Sequence, residues 1–220
     1  MSSKQYLVIG LGRFGASVAK TLCSLGNDVL VIDQSEENVQ AIADSVTHAV
    51  QADATDENAL KSLGIRNFEV AIIAMGSDVQ SSIMATLLVK ELGVKYVIAK
   101  ALNELHAKVL YKIGADRVIF PERDMGVRVA HSLSSSNILD YIELSPDYSI
   151  VEISALSQWI GKTLRVLNMR SDYGITVMAI KRDNDINVSP ASDDVIKQGD
   201  ILVVIGGTNA LNKIEKIKKL

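Results

Sequence analysis

The 220 residues carry a net charge of −3, with 48% hydrophobic and 22% charged side chains, which suits one or two globular domains with a sizeable core. The mild acidity argues against a nucleic-acid footprint, and no apolar run approaches the ~18 residues of a membrane span. The single cysteine, Cys23, excludes a disulfide or cysteine-metal framework and, beside Leu22, reads as a small core residue.

Met1 to Gln5 has no basic or long apolar character, so no export signal is expected. The apolar run Leu7-Val8-Ile9 then leads into Gly10-Leu11-Gly12-Arg13-Phe14-Gly15, a helical pattern to Leu25, and a second apolar run, Val29 to Ile32, that ends in Asp33. Strand, tight turn, helix, strand and acid in that order are the pattern of a dinucleotide-binding unit. Gly10 permits the turn, Gly12 lets backbone approach a phosphate, and Gly15 lets helix and strand pack closely. An anion would then sit at the helix N-terminus. Asp33 suits ribose hydroxyls and would repel a 2′-phosphate, which disfavours NADP.

Strand and helix signals alternate to Asn137. Strands are expected at 5–9, 28–32, 47–51, 69–74, 95–99 and 117–120, with helices near 14–25, 36–44, 56–63, 79–92 and 104–113, several closed by glycine. Runs such as Val70 to Ala74 suit strands buried on both faces, and therefore a doubly wound parallel sheet of six strands, a Rossmann-like α/β domain over residues 1–137. A helix over 121–135 has Met125, Val129, Ala130 and Leu133 on one face, a stripe that its own sheet or a second subunit must cover. Residues 138–220 change texture to a small α+β domain. Strands are expected at 139–144, 149–155, 176–182, 186–189 and 201–206, and helices at 163–167 and 209–219. Lys213, Lys216, Lys218 and Lys219 read as the solvated face of that last helix.

Ligands of doubly wound sheets bind at the carboxyl ends of the strands, which directs attention to the loops there. Arg13 either reaches a terminal phosphate or is a surface arginine. Asp53, followed by Ala54, either frames an adenine or ribose edge or caps the next helix. Ala74 and Gly76 end the fourth strand, where Gly76 permits close backbone approach. Lys100 ends the fifth. Glu122 either complements a helix dipole or, beside a triphosphate, helps hold Mg2+ or another divalent cation. His48, His106 and His131 pair with no carboxylate at relay spacing and read as structural or surface groups. An NAD-dependent oxidoreductase therefore lacks an evident acid or base, although Lys162, Tyr173 and Lys181 remain open.

The glycine turn, Ala52 to Asp56, Leu63 to Asn67, Lys112 to Asp116, Pro121 to Met125 and the small β-rich second domain together resemble the cytosolic regulatory subunits of bacterial Ktr potassium-uptake systems, of the RCK or KTN class. The resemblance spans essentially the whole chain. It implies a protein that is not an enzyme but assembles as a ring, typically an octamer. Such a ring docks on a membrane-embedded potassium transporter subunit at the cytoplasmic face, without inserting into the membrane, and ATP or ADP switches its shape. On this resemblance Gly10, Gly12 and Gly15, with Arg13 and Phe14 between them, would hold phosphates and Asp33 the ribose. Glu122 would assist a cation, Asp53 and Lys100 would lie near the ligand, and the helix from Pro121 would join two first domains. Some relatives bind cyclic di-AMP in the second domain, which makes Arg170 a candidate phosphate contact, with Arg165 standing where relatives often carry an aliphatic residue. Trk-type relatives that bind NAD or NADH keep a dinucleotide sensor as the alternative.

Overall fold

The computed structural model describes residues 4–76, 78–134 and 137–215. Ser77, Ser135 at the end of the helix expected over 121–135, and Lys216, Lys218 and Lys219 of the expected basic face lie outside them. Contacts divide the chain into two compact units, Met1–Pro121 and Glu122–Leu220.

The first unit is a parallel sheet of six strands. These are β1 (Gln5–Ile9), β2 (Asp28–Asp33), β3 (His48–Gln51), β4 (Val70–Ile73), β5 (Tyr96–Lys100) and β6 (Arg117–Ile119), in the order β3-β2-β1-β4-β5-β6. Side chains alternate across a strand, so Leu7, Ile9, Leu30, Ile32, Ala71 and Ile73 enter one apolar cluster while Val8, Val29, Val31 and Ile72 enter another on the opposite face. Both faces are therefore buried, as the unbroken apolar runs require. The covering helices are α1 (Arg13–Ser24), α2 (Glu36–Ile42), α3 (Glu57–Ser62), α4 (Val79–Glu91) and α5 (Glu104–Lys112). Four of them start on a side-chain cap: Ser35, Asp56, Asp78 and Asn103 each accept a bond from a backbone N–H in the following turn. Asp56, and not Asp53, caps α3; Asp53 Oδ1 instead accepts from the Thr55 amide at 2.8 Å and its hydroxyl at 2.7 Å.

The second unit holds α6 (Pro121–Ser134) and a five-stranded antiparallel sheet of β7 (Ile138–Ser145), β8 (Tyr148–Ser154), β9 (Ile175–Arg182), β10 (Asp185–Asn187) and β11 (Ile201–Gly207), in the order β10-β9-β11-β8-β7. Two short helices, α7 (Leu164–Leu167) and α8 (Met169–Asp172), follow β8, and α9 (Thr208–Glu215) follows β11. The sequence pattern missed α8, because a single turn leaves no periodicity to read. Asn168, with φ of 41°, makes the left-handed joint between α7 and α8. The core centres on fully buried Trp159, which meets Tyr173 edge to face at 5.3 Å. Arg182 grips the buried Asp200 through two bonds of 2.7 Å and so ties the end of β9 to the turn before β11.

Most of the α6 stripe is open to solvent: Met125, Val129 and Leu133 are 54%, 48% and 81% exposed. The helix is held to β7 from its other side. Arg128 donates two bonds to Asp140, His131 stacks on Tyr141 at 4.1 Å, and the Ser132 hydroxyl donates to the Leu139 carbonyl.

The Arg128 guanidinium holds the Asp140 carboxyl down at about 2 from its usual 3.8. A depressed carboxylate stabilises the fold fully above its ordinary value and loses that contribution as the pH falls through the folded one. Asp140→Asn should therefore lower the urea midpoint at neutral pH, with the gap to the parent chain closing as the pH falls from about 4 toward about 2. Fluorescence of Trp159, the sole tryptophan and a core residue of this unit, reads that midpoint. A gap that persisted at the acid end would mean that the asparagine acts through packing and not through charge.

Candidate functional site

The order β2-β1-β4 means that the chain leaves β1 toward one side and β4 toward the other, opening a crevice at their carboxyl ends. A cleft of ≈ 290 Å³ lies there, lined by Gly10, Gly12, Asp33, Gln34, Asn38, Ala52, Ala54, Ala74, Met75, Gly76 and Asp78, together with Ile9 and Ile32. A larger groove of ≈ 560 Å³ runs between α6 and β7 in the second unit. The smaller cleft is the better candidate, because backbone donors and a carboxylate converge on it at the switch point of the sheet.

The glycine turn is built by close backbone approach. Gly10 has φ of +93°, and a Cβ on Gly15 would lie 1.9 Å from the Gly10 carbonyl oxygen. Helix α1 starts on Gly12 with no side-chain cap and no acidic residue in its first turn. The free N–H groups of that turn, with the positive end of the helix dipole, form a place for an anion. Opposite them, Asp33 is fixed by three donors: the Leu11 amide at 2.5 Å, the Ser35 amide at 2.8 Å and the Asn38 side chain at 3.2 Å. The first of these ties the glycine turn to the end of β2.

Of the residues singled out on the sequence, Gly10, Gly12, Asp33, Ala54, Ala74 and Gly76 line this cleft together. Arg13 is the exposed first residue of α1, beside it. Phe14 turns away and packs on the apolar cluster around Val8, while Gly15 is buried beneath the turn. Asp53 faces Thr55 and does not line the cleft; those two bonds lower its pKa. Lys100 is buried at the end of β5 with its Nζ beside Gly76, 2.9 Å from where a Cβ would stand. Glu122 lies in the second unit and Arg170 is exposed on α8. Arg165 bonds Asp193 and Ser192 at 2.9 and 2.7 Å. The sequence reading missed Gln34 and Asn38, since nothing in polarity or period marks them, whereas Met75 lies in the loop after the fourth strand to which it had drawn attention. Asp78 sat in a loop already noted, and the structure shows its carboxylate engaged by Ser81 as the cap of α4, which lowers its pKa.

The arrangement suits a phosphate on α1 and a hydroxyl-bearing sugar on Asp33. No histidine lines the cleft; His106 is buried in α5, where burial lowers its pKa.

Residues 6–121 match the TrkA-N domain and residues 148–219 the TrkA-C domain. Over 215 residues, covering 98% of this chain and 97% of the relative, the sequence is 51% identical to Ktr system potassium uptake protein A of Bacillus subtilis (strain 168). The chain belongs to the Ktr potassium uptake protein family. This Ktr-type chain is also 49% identical to Ktr system potassium uptake protein C of the same organism, over 97% of its length and 96% of the relative's. Among solved structures it resembles the GsuK channel bound to NAD, with a TM-score of 0.66 and 18% identity over 96% of this chain. That likeness is one of fold, and this chain spans 38% of the channel chain.

Two glycines of the turn should respond in opposite ways to a methyl group. Gly15→Ala drives a Cβ into backbone and should cost about 3 kcal/mol or more, read as a large drop in melting temperature. Gly12 has extended backbone and nothing within 4 Å of its Cβ position, so Gly12→Ala should melt close to the parent chain. Similar melting of the two variants would contradict the close approach of Gly10 and Gly15.

Proposed function

We propose that this chain is the nucleotide-sensing regulatory subunit of a potassium transporter, and that ATP and ADP, bound in the cleft at the ends of β1, β2 and β4, switch its shape. The observation that carries the reading is the uncapped start of α1 facing Asp33 across one cleft, in a chain that aligns along both domains with Ktr system potassium uptake protein A. The cleft residues fit adenosine phosphate. Backbone donors and no acid stand where the phosphates would go, and an acceptor stands where the ribose would go. The carboxylates of Asp33 and Asp78 are held by scaffold donors and no histidine lines the cleft, which favours sensing over catalysis and disfavours an oxidoreductase.

ATP and ADP differ by one charged phosphoryl group, so a residue that reaches it must create the differential affinity that moves a conformational equilibrium. Arg13, on the first turn of α1, takes that role, and Lys100 beside Gly76 supplies a second positive charge. Among the described residues no three His, Cys, Asp or Glu side chains gather to hold a metal. Mg2+ would therefore rely on phosphate oxygens, and Glu122 is put forward to assist it on the resemblance to Ktr subunits alone. The exposed stripe of α6 suits assembly of copies into the ring, an octamer, that docks on the membrane subunit. No helix among the described residues is long and apolar enough to cross a membrane, so attachment at the cytoplasmic face runs through that partner. Arg170 is the second-domain candidate for cyclic di-AMP.

A dinucleotide sensor is the second reading, favoured by the fold shared with the GsuK channel solved with NAD. Calorimetric titration with ATP, ADP, NAD and NADH, with and without magnesium, separates the two. ATP and ADP should bind, with the ATP response changed by magnesium and by Glu122→Gln. Arg13→Ala should shrink the ATP to ADP affinity ratio by roughly tenfold, the worth of one charge-assisted hydrogen bond, and leave adenosine unaffected. Binding of NADH with ATP silent would favour the dinucleotide sensor, and an unchanged ratio would remove Arg13 from the switch.

A further inference from the structure

Asp33 is the carboxylate that this cleft offers to a ribose, and most of its acceptor capacity is already committed. A carboxylate presents about four lone-pair positions, two on each oxygen. Oδ1 accepts from the Ser35 amide at 2.8 Å and from Asn38 Nδ2 at 3.2 Å, which fills it. Oδ2 accepts from the Leu11 amide at 2.5 Å, which leaves it one position. A ribose diol brings two hydroxyl donors. Asp33 as held here can receive one of them.

Asn38 stands beside it and lines the same cleft. Its contact with Asp33 decides which way the amide faces, because the opposite flip would set a carbonyl oxygen against a carboxylate oxygen. With Nδ2 held on Asp33, the carbonyl Oδ1 is turned away from Asp33, and among the described residues it accepts no hydrogen bond. An oriented acceptor is thus left open one side chain away from the single open position on Asp33.

We infer that Asn38 is the second ribose contact, resting on the nucleotide reading above: Asp33 Oδ2 accepts from one hydroxyl and Asn38 Oδ1 accepts from the other. The pair works as one receptor for the diol, with the carboxylate aligning the amide. Two different side chains then read the two hydroxyls, so the two can be separated by substitution.

The test is calorimetry of the full chain with ADP, 2′-deoxy-ADP and 3′-deoxy-ADP, before and after Asn38→Ala. Asn38 is exposed on α2 and alanine favours helix, so the variant keeps the fold, as far-ultraviolet circular dichroism verifies. The unsubstituted chain should bind each deoxynucleotide roughly 3- to 10-fold more weakly than ADP, the worth of one hydrogen bond. In Asn38→Ala one of the two ratios should fall to about 1 while the other, carried by Asp33, persists. Persistence of both ratios overturns the inference and leaves the nucleotide reading standing. Loss of both would make Asn38 only an orienting group for Asp33, and equal affinity for all three ligands in the unsubstituted chain would remove the diol receptor; either overturns it too. Failure of ADP to bind the unsubstituted chain overturns the nucleotide reading itself, and this inference with it.

Discussion

The first domain depends on the approach of two pieces of backbone. The Gly10 carbonyl occupies the space that any Cβ on Gly15 would need, and the same imagined Cβ would lie 3.0 Å from the Ala74 side chain. The end of β1, the start of α1 and the end of β4 therefore meet at one point with nothing between them. Once they meet, the Gly10 amide donates to Ile32 and the Leu11 amide to Asp33, so β2 is drawn into the same junction. A side chain there would hold the helix off the sheet and dissolve the cleft. The uncapped start of α1 is a result of this packing and needs no polar side chain of its own.

The sequence is legible where a residue type has one physical use. Valine and isoleucine in unbroken runs mean strands covered on both sides, and β1, β2, β4 and β5 follow from that. Glycine with a following helix and a distant acid marks a tight strand-turn-helix-strand unit, so the meeting of Gly10, Gly12 and Asp33 in one cleft was readable in advance. Asp53 was harder because aspartate serves many turns, and its bond to Thr55 competes with every longer-range role. Asn38 was invisible. Its place in the cleft goes with the bond of its side chain to Asp33, and no local pattern records that bond. Arg13, Lys100 and Glu122 mark a further limit, since charge shows in a sequence but the distance to a ligand does not.

The second domain relies less on glycine and more on charge held in place. Asp200 is buried and accepts from Arg182 and from the Lys197 amide, so removing one partner would leave a carboxylate in the core. Lys181 pairs with Glu152 across β11, and Asp140 lies close enough for Lys181 to lower its pKa as well. These pairs link strands far apart in sequence. They give a small sheet a fixed register that its modest apolar core would specify less firmly alone.

The order of that sheet also sets a timetable. Strand β11 sits between β8 and β9, so the two earlier strands have no direct pairing and wait for residues 201–207 to join them. The six-stranded sheet is complete once residue 119 is made. During synthesis on a ribosome the first domain can close while the second is still a hairpin with loose ends, because domains fold as units from the N-terminal side. The keystone of the second domain is therefore the last of its strands to be translated, and a chain cut short before Ile201 would carry a finished cleft and an unfinished sheet with two open edges.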